Sequence, residues 1–334
     1  MTAAISPVDA ARSRPTDAVA GWVRRNAWTL GLLGFLAFLL AFTKYIQPSY
    51  GVTGIQGLGT SVMPLALAAV GQAIVVLSGG IDLSVASIMA VTGAVSAVLM
   101  KGQSEEFAVV AVIGVLLLGL LVGAVNGSLV VLTRVPDIVV TLAMSFVWGG
   151  AALLVLKTPG GASASWLKEL VKGSLFSEWI PKAAVVLIVI VAVIWIPLRR
   201  SRLGLSLYAV GGNRLAAFRS GVSIGRTKIA AYMILGLFAA LGGLSITGST
   251  GIGTPTAGPY TLMSVAAVVL GGVSLAGGRG GVFGPLVGVV ILQLIRTDMT
   301  FLNIDTNMAV VVQGLILIGV VMAGGLVEMR RRRA

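Results

Sequence analysis

Asp82 is the only charged residue between Thr60 and Met100, and it stands just behind two glycines in LSGGIDLSVASIM, residues 77–89. A carboxylate in an apolar run has three uses: it can carry a proton, cap a helix, or accept hydrogen bonds from a solute. Gly79 and Gly80 break the helix before it. Asp82 and Ser84 flank the next apolar run, so either could hold the free amides of a helix starting near residue 83. That spacing fits a cap better than direct solute contact. A helix broken at membrane depth is tolerated only where protein or a water-filled cavity satisfies the freed backbone. Gln72, Asn126, Thr141, Ser145, Gln293 and Gln313 are the other polar residues inside apolar segments. Neutral groups of this kind can bind a hydroxyl-rich solute without charge compensation, or simply tie helix to helix. The set expected to form the break or shape a path is Gly79, Gly80, Asp82, Ser84, Asn126, Thr141 and Gln313.

A second constellation lies in LYAVGGNRLAAFRSGVSIGRTK, residues 207–228. Asn213 is a good N-cap and Gly221 a good residue just past a helix end. The seven residues between them make about two helical turns, with Leu215 and Phe218 on one face and Arg214 and Arg219 on others. A short capped amphipathic helix suits a groove on another protein. It equally suits the headgroup layer, with its basic residues against anionic lipid. The residues alone leave these two open.

Signatures of catalysis are missing. There is no GxxxxGK[ST] loop to hold ATP, no HExxH and no GxSxG. Cys and His are absent, which excludes Cys-based zinc sites, cysteine-ligated clusters and imidazole relays. No catalytic, cofactor-binding or metal-ligating residue is assigned, and the chain is not expected to be an enzyme.

The elements that must position these residues follow from composition. The 334 residues are 57% hydrophobic and 10% charged, where soluble domains carry roughly 25% charge; mean hydropathy is +1.02. Apolar blocks have the length that crosses a hydrocarbon layer of about 30 Å, without the alternation of a membrane barrel. The reading is an all-α polytopic membrane protein with about ten spans: 27–46, 59–78, 83–100, 107–132, 138–156, 183–198, 228–248, 261–275, 282–296 and 307–326. Several are short enough to be broken or tilted pieces. Ten alternating spans with the N-terminus inside put 17 of the 24 Lys and Arg on the inner side, as the positive-inside rule demands. Both termini are therefore expected in the cytoplasm. The excess basic charge reports orientation rather than nucleic acid binding, because no separate soluble domain is available. Residues 1–26 read as an N-terminal tail and 27–326 as one membrane domain. That domain has a basic inner loop at about 199–228 and an outer loop at about 157–182. Residues 327–334 read as a basic tail. A surface helix is expected at Ser165–Lys172.

Two patterns concern packing. Gly119, Gly123 and Gly127 recur every fourth residue, a face for close helix contact; Gly277, Gly280, Gly281, Gly284 and Gly288 add further small-residue spacings. VVLSGGIDLSVASIMAVTGA (75–94) resembles VVLGGVSLAGGRGGVFGPLVGV (268–289). The two segments are an even number of spans apart, so they form a parallel repeat.

GGIDLSVASIM is similar to the GGIDLSVGS signature of monosaccharide ABC-transporter permeases of the ribose, xylose and galactose type. GLLVGAVNGSLVVLTRVPDIVVTLA (119–143), residues 207–232 and VAAVVLGGVSLAGGRGGVFGPLVGV (265–289) resemble the same family, and the likeness runs from about 60 to 325. The family often has Gly where this chain has Ala86, and residues 156–181 match no pattern of the family. The resemblance implies a dimeric channel, a homodimer or a pair of related permeases, in the bacterial inner membrane. Separate cytoplasmic ATPase subunits that bind ATP and Mg would move it, and an extracytoplasmic sugar-binding protein would feed it. It implies no cofactor in this chain, membrane lipid around it and no nucleic acid partner. The inner loop then becomes the coupling helix seated in the ATPase, a role that falls on Gly211, Gly212, Asn213, Ala216, Ala217, Phe218, Arg219 and Gly221. The expected cargo is a monosaccharide or related polyol. The alternatives are a proton-coupled secondary transporter using Asp82, the single clear intramembrane ionisable group, and a non-transporting scaffold or receptor component.

Overall fold

The computed structural model describes residues 15–256 and 258–305, with side chains from 27 onward, and scattered residues between 308 and 322. The helices are α1 (Pro15–Ile46), α2 (Val52–Leu77), α3 (Val85–Met100), α4 (Glu105–Thr133), α5 (Asp137–Val155), α6 (Ser165–Val171), α7 (Lys182–Arg200), α8 (Arg202–Gly212), α9 (Arg214–Arg219), α10 (Ile224–Thr250), α11 (Tyr260–Leu270) and α12 (Phe283–Phe301). Seven are long and apolar enough to cross a membrane, and α3 and α11 are shorter apolar helices. Nine of the ten predicted spans are therefore helices. The tenth, 307–326, falls largely outside the described residues, as do Gln313 and the tail 327–334. Helix α1 starts at Pro15, inside the predicted N-terminal tail.

Local chemistry sets the helix ends. The Ser104 hydroxyl accepts from Phe107 N at the head of α4, where Glu105 and Glu106 also face the positive helix terminus. Arg134 closes α4 in the left-handed conformation, and Val135–Pro136 cannot continue a helix. Ser201 caps α8 through Gly204 N at 3.1 Å.

Helix α2 is the axis of the molecule. Every residue from Val62 to Leu77 is buried, enclosed by α10, α11, α12 and α7. The α4–α10 crossing needs its glycines. A methyl group on Gly119 would strike Gly236 O and one on Gly123 would strike Tyr232 O, while Gly127 lies over Ile229. The predicted glycine face is therefore a packing face. Outward surfaces of α1, α4, α5 and α7 expose Phe38, Leu117, Leu121, Leu154 and Ile188. Such a continuous apolar exterior suits hydrocarbon and not water.

The loops gather at two ends. At one, the α9 end, lie the α2–α3 turn, residues 134–136, α8–α9 and residues 271–282, held together by Gly278 N→Leu77 O at 3.0 Å and Tyr208 Oη→Gly280 O at 2.9 Å. Burial pushes the Tyr208 phenol up, against the pull of the Arg199 guanidinium. At the other end lie α6 and a small antiparallel ribbon, β1 (Ser174–Leu175) and β2 (Ser177–Pro181). The surface helix was expected there; the ribbon was not. Helix α6 begins where the Glu105 carboxylate accepts from Ser165 N at 3.0 and 3.1 Å.

Candidate functional site

The chain turns out of α2 at Gly79 (φ +77) through Gly79 N→Val76 O and Gly80 N→Val75 O. It turns out of α11 at Gly272 (φ +77) through Gly272 N→Val269 O and Val273 N→Val268 O. These are the same paired bonds at the same offsets from the shared Val-Val-Leu, a Schellman end with glycine in the left-handed position. The likeness read between 75–94 and 268–289 thus holds through the two turns; after them the segments part, α3 starting at Val85 and α12 only at Phe283.

After the first turn, residues 81–84 run without secondary structure into α3. Their backbone groups find side chains from four helices. Ile81 O accepts from Thr141 Oγ1 at 3.3 Å and Tyr232 Oη at 3.5 Å. Gln72, with its amide oriented to satisfy both groups, donates to Asp82 O at 3.0 Å and accepts from Asp82 N at 3.2 Å. Leu83 N donates to Thr141 Oγ1 at 3.0 Å, and Leu83 O accepts from Thr261 Oγ1 at 3.3 Å. Ser84 N and Ser84 Oγ both donate to Asp82 Oδ1 at 2.6 Å. Asn126 Nδ2 donates to Ser84 Oγ at 2.8 Å and its Oδ1 accepts from Trp148 Nε1 at 3.0 Å. Asn126 is seven residues before the end of α4, so the start of α3 is sunk about 10 Å along that helix.

This arrangement corrects the expected cap and decides between the two supports open to the broken backbone. Ser84 takes the N-cap position of α3, but its side chain caps no amide; the Asp82 carboxylate holds the turn itself. Protein atoms, not a water-filled corridor, satisfy the broken backbone. Asp82, Ser84, Asn126 and Thr141 are fully buried and brought together with Gly79 and Gly80, and none of them lines the cavity at the opposite end. Asp82 is also not alone as an ionisable group within the helices. Lys228 and Asp137 form a buried ion pair at 2.7 Å, and Asp298 of α12 is buried with Oδ1 accepting from Thr43 Oγ1 at 2.7 Å.

The large cavity lies at the opposite end. It measures about 560 Å³ and is walled by α2, α10, α11, α12, Lys172, Thr254, Thr256, Gly258 and Pro259. Thr60, Ser61, Ser249, Thr254, Gln293 and Arg296 supply polar groups, and Pro64, Leu65 and Met263 apolar ones. Pro64 has no N–H, so the Thr60 carbonyl in this wall lacks its helical donor. From Leu65, at the cavity, to Leu77, at the break, is twelve residues of buried α2, about 18 Å. The cavity and the break are thus separate sites on one helix. Apart from Gln293, reading along the sequence missed the cavity wall. Pro64 inside a span was its one legible signal.

At the α9 end the predicted loop has its predicted form. Asn213 Oδ1 accepts from Ala216 N at 3.0 Å. Gly221 N and Val222 N close α9 onto Phe218 O and Ala217 O. Ala217 is buried, while Leu215 (59%) and Phe218 (65%) are exposed. Arg214, Ala216 and Arg219 are exposed beside them. Gly211 and Gly212 sit against the turn after α2 and the loop that follows α11: a methyl on Gly211 would strike Leu77 O and Gly278 N, and Gly277 lies on Gly211 and Gly79.

Among known proteins, the family described as Branched-chain amino acid transport system / permease component matches residues 54–321. The ribose import permease protein RbsC of Escherichia coli is 32% identical over 304 residues, 88% of this chain and 93% of that protein. The D-allose transport system permease protein AlsC of Escherichia coli is 29% identical over 87% of this chain and 90% of its own length. The fructose import permease protein FrcC of Rhizobium meliloti is 32% identical over 74% of this chain and 71% of its own. No solved structure matches the chain.

Proposed function

The chain belongs to the family of branched-chain amino acid transport system permease components, and from that premise we propose that it is the membrane subunit of an ATP-driven importer for a monosaccharide or related polyol. Separate ATPase subunits would supply the work. A binding protein would deliver the solute at the cavity end, and a second permease, identical or related, would complete the path. Two of the relatives with the sugar names match it over nearly their whole length, and the cavity's hydroxyl and amide groups, beside the cations Lys172 and Arg296, can hydrogen-bond a polyhydroxy solute.

The observation that carries this reading is α9. A capped two-turn helix with Leu215 and Phe218 bare to solvent is a docking surface, and its stem at Gly211–Gly212 touches the turn after α2 and the loop after α11. A force applied to α9 from outside reaches the break after α2 directly and the α11 break through the loop at Gly277–Gly278. In this reading the α9 end is cytoplasmic and the cavity faces out, which agrees with the basic loop at 199–228. Closure of the ATPase pair moves α9, the packing around α2 yields, and the solute passes from the cavity beside α2 to the α9 end.

The test is uptake of labelled pentoses, hexoses and polyols into proteoliposomes holding the permease, its ATPase and its binding protein. ATP-dependent accumulation of a sugar or polyol is expected. Uptake driven by a proton gradient with no ATPase present would overturn the proposal.

A further inference from the structure

Lys228 lies one turn into α10, the helix that follows α9. Its ammonium is 2.7 and 3.0 Å from the two carboxylate oxygens of Asp137, the first residue of α5. One turn further along α10, the Tyr232 hydroxyl lies 3.1 Å from Asp137 Oδ2 and 3.5 Å from Ile81 O. Gly80 crowds the same carboxylate; a methyl there would sit 2.5 Å from Oδ2. One carboxylate thus joins α10, α5 and the break after α2.

Stability alone gives little reason for a pair like this, since well-packed apolar residues often replace buried ion pairs at no cost. The mechanical contrast with the α8 side is informative. There, Gly211 and Gly212 meet Leu77, Gly277 and Gly278 backbone to backbone. Two hydrogen bonds lie nearby, but neither ties α8 to the Gly79–Gly80 break: Gly278 N→Leu77 O does not involve α8, and Tyr208 Oη→Gly280 O ties α8 to the loop after α11. The contact of α8 with the break itself is van der Waals. Such a contact transmits a push and has little resistance to a pull. A charge-assisted hydrogen bond holds under both.

We propose that Lys228, Asp137 and Tyr232 are the return linkage of the transporter: they draw α5 and the Gly79–Gly80 break back when α9 retracts. They are positioning residues and do not touch the solute. The inference rests on the importer reading above and adds the residues that reset it.

The test compares sugar taken up per ATP hydrolysed in proteoliposomes of the full complex. The double variant Asp137→Asn/Lys228→Met removes the charges without leaving one buried alone. Tyr232→Phe removes only the hydroxyl that reaches the carboxylate and Ile81 O. The double variant is expected to lower uptake per ATP by about five-fold or more, the weak end of measured site-to-site couplings, while the complex assembles and hydrolysis continues. Tyr232→Phe is expected to shift the ratio the same way, and the exchanged pair Asp137→Lys/Lys228→Asp to recover part of it. An unchanged ratio in both the double variant and Tyr232→Phe overturns the linkage alone. Absence of ATP-driven uptake in the unmodified complex overturns the importer reading with it.

Discussion

Asp82 uses one oxygen for all its bonds: Oδ1 takes both the amide and the hydroxyl of Ser84, while Oδ2 has no partner among the described residues. Asp82→Asn keeps that acceptor, so the variant is expected to fold and to retain ATP-driven uptake; its loss would instead favour a proton-carrying role. Asp82→Ala orphans both Ser84 donors and should cost about 1–3 kcal/mol for each buried group left unmade, read as a lower thermal midpoint in detergent. A sharper contrast lies in two neighbouring glycines. Gly211→Ala drives a methyl into the backbone of Leu77 and Gly278, whereas Gly212→Ala meets nothing within 4 Å. The first should destabilise by about 1–3 kcal/mol, as overpacking does, and the second should leave the thermal midpoint unchanged. From sequence, both glycines belonged to the same motif. Only the approach of a remote backbone separates them.

Among the elements, α9 was the most legible, because its caps are local: Asn213 and Gly221 act on amides and carbonyls within a few residues. The double variant Phe218→Ala/Arg219→Glu alters the exposed face and leaves those caps intact. It is expected to uncouple ATP hydrolysis from uptake in proteoliposomes without loss of the purified permease. Normal uptake and normal co-purification with the ATPase would refute the docking role. The glycine face of α4 was legible for a similar reason, since a four-residue spacing fixes a helix side whatever packs on it. The ribbon at Ser174–Pro181 was not, because a two-residue strand beside a five-residue strand has no periodicity to read. The Lys228–Asp137 pair was hidden by its separation of 91 residues, and Lys228 looked like one more basic residue of the inner loop. Pro64 in α2 sits between these cases. Its effect on the Thr60 carbonyl is readable from sequence, but its place in a cavity wall is not. Pro64→Ala restores an interior helix bond, and interior proline costs about 3 kcal/mol. The variant is therefore expected to melt higher and transport less, since it removes an acceptor from the wall; higher stability with undiminished uptake would show that acceptor to be idle.

At the scale of the whole molecule, the sequence pattern supplied nine of the described helices and the likeness of the two glycine turns, because apolar length and glycine position are properties of single segments. The convergence of α2, α10, α11 and α12 on one cavity depends on how segments meet, and nothing in any one of them announces it. Orientation can be measured directly because the chain has no Cys. A single cysteine at Phe176, at the ribbon's turn and 91% exposed, should react with an impermeant maleimide added outside intact cells. One at Arg214 should react only after the membrane is opened, and the reverse pattern would invert the topology. The sealed stretch of α2 from Ala66 to Leu77 bears on bioenergetics. A protein that admits sugar through a standing pore would short-circuit the ion gradients the cell lives on. Here some 18 Å of buried helix, enclosed on every side by protein, lies between the cavity and the break, so in this state the membrane keeps its voltage while the transporter waits.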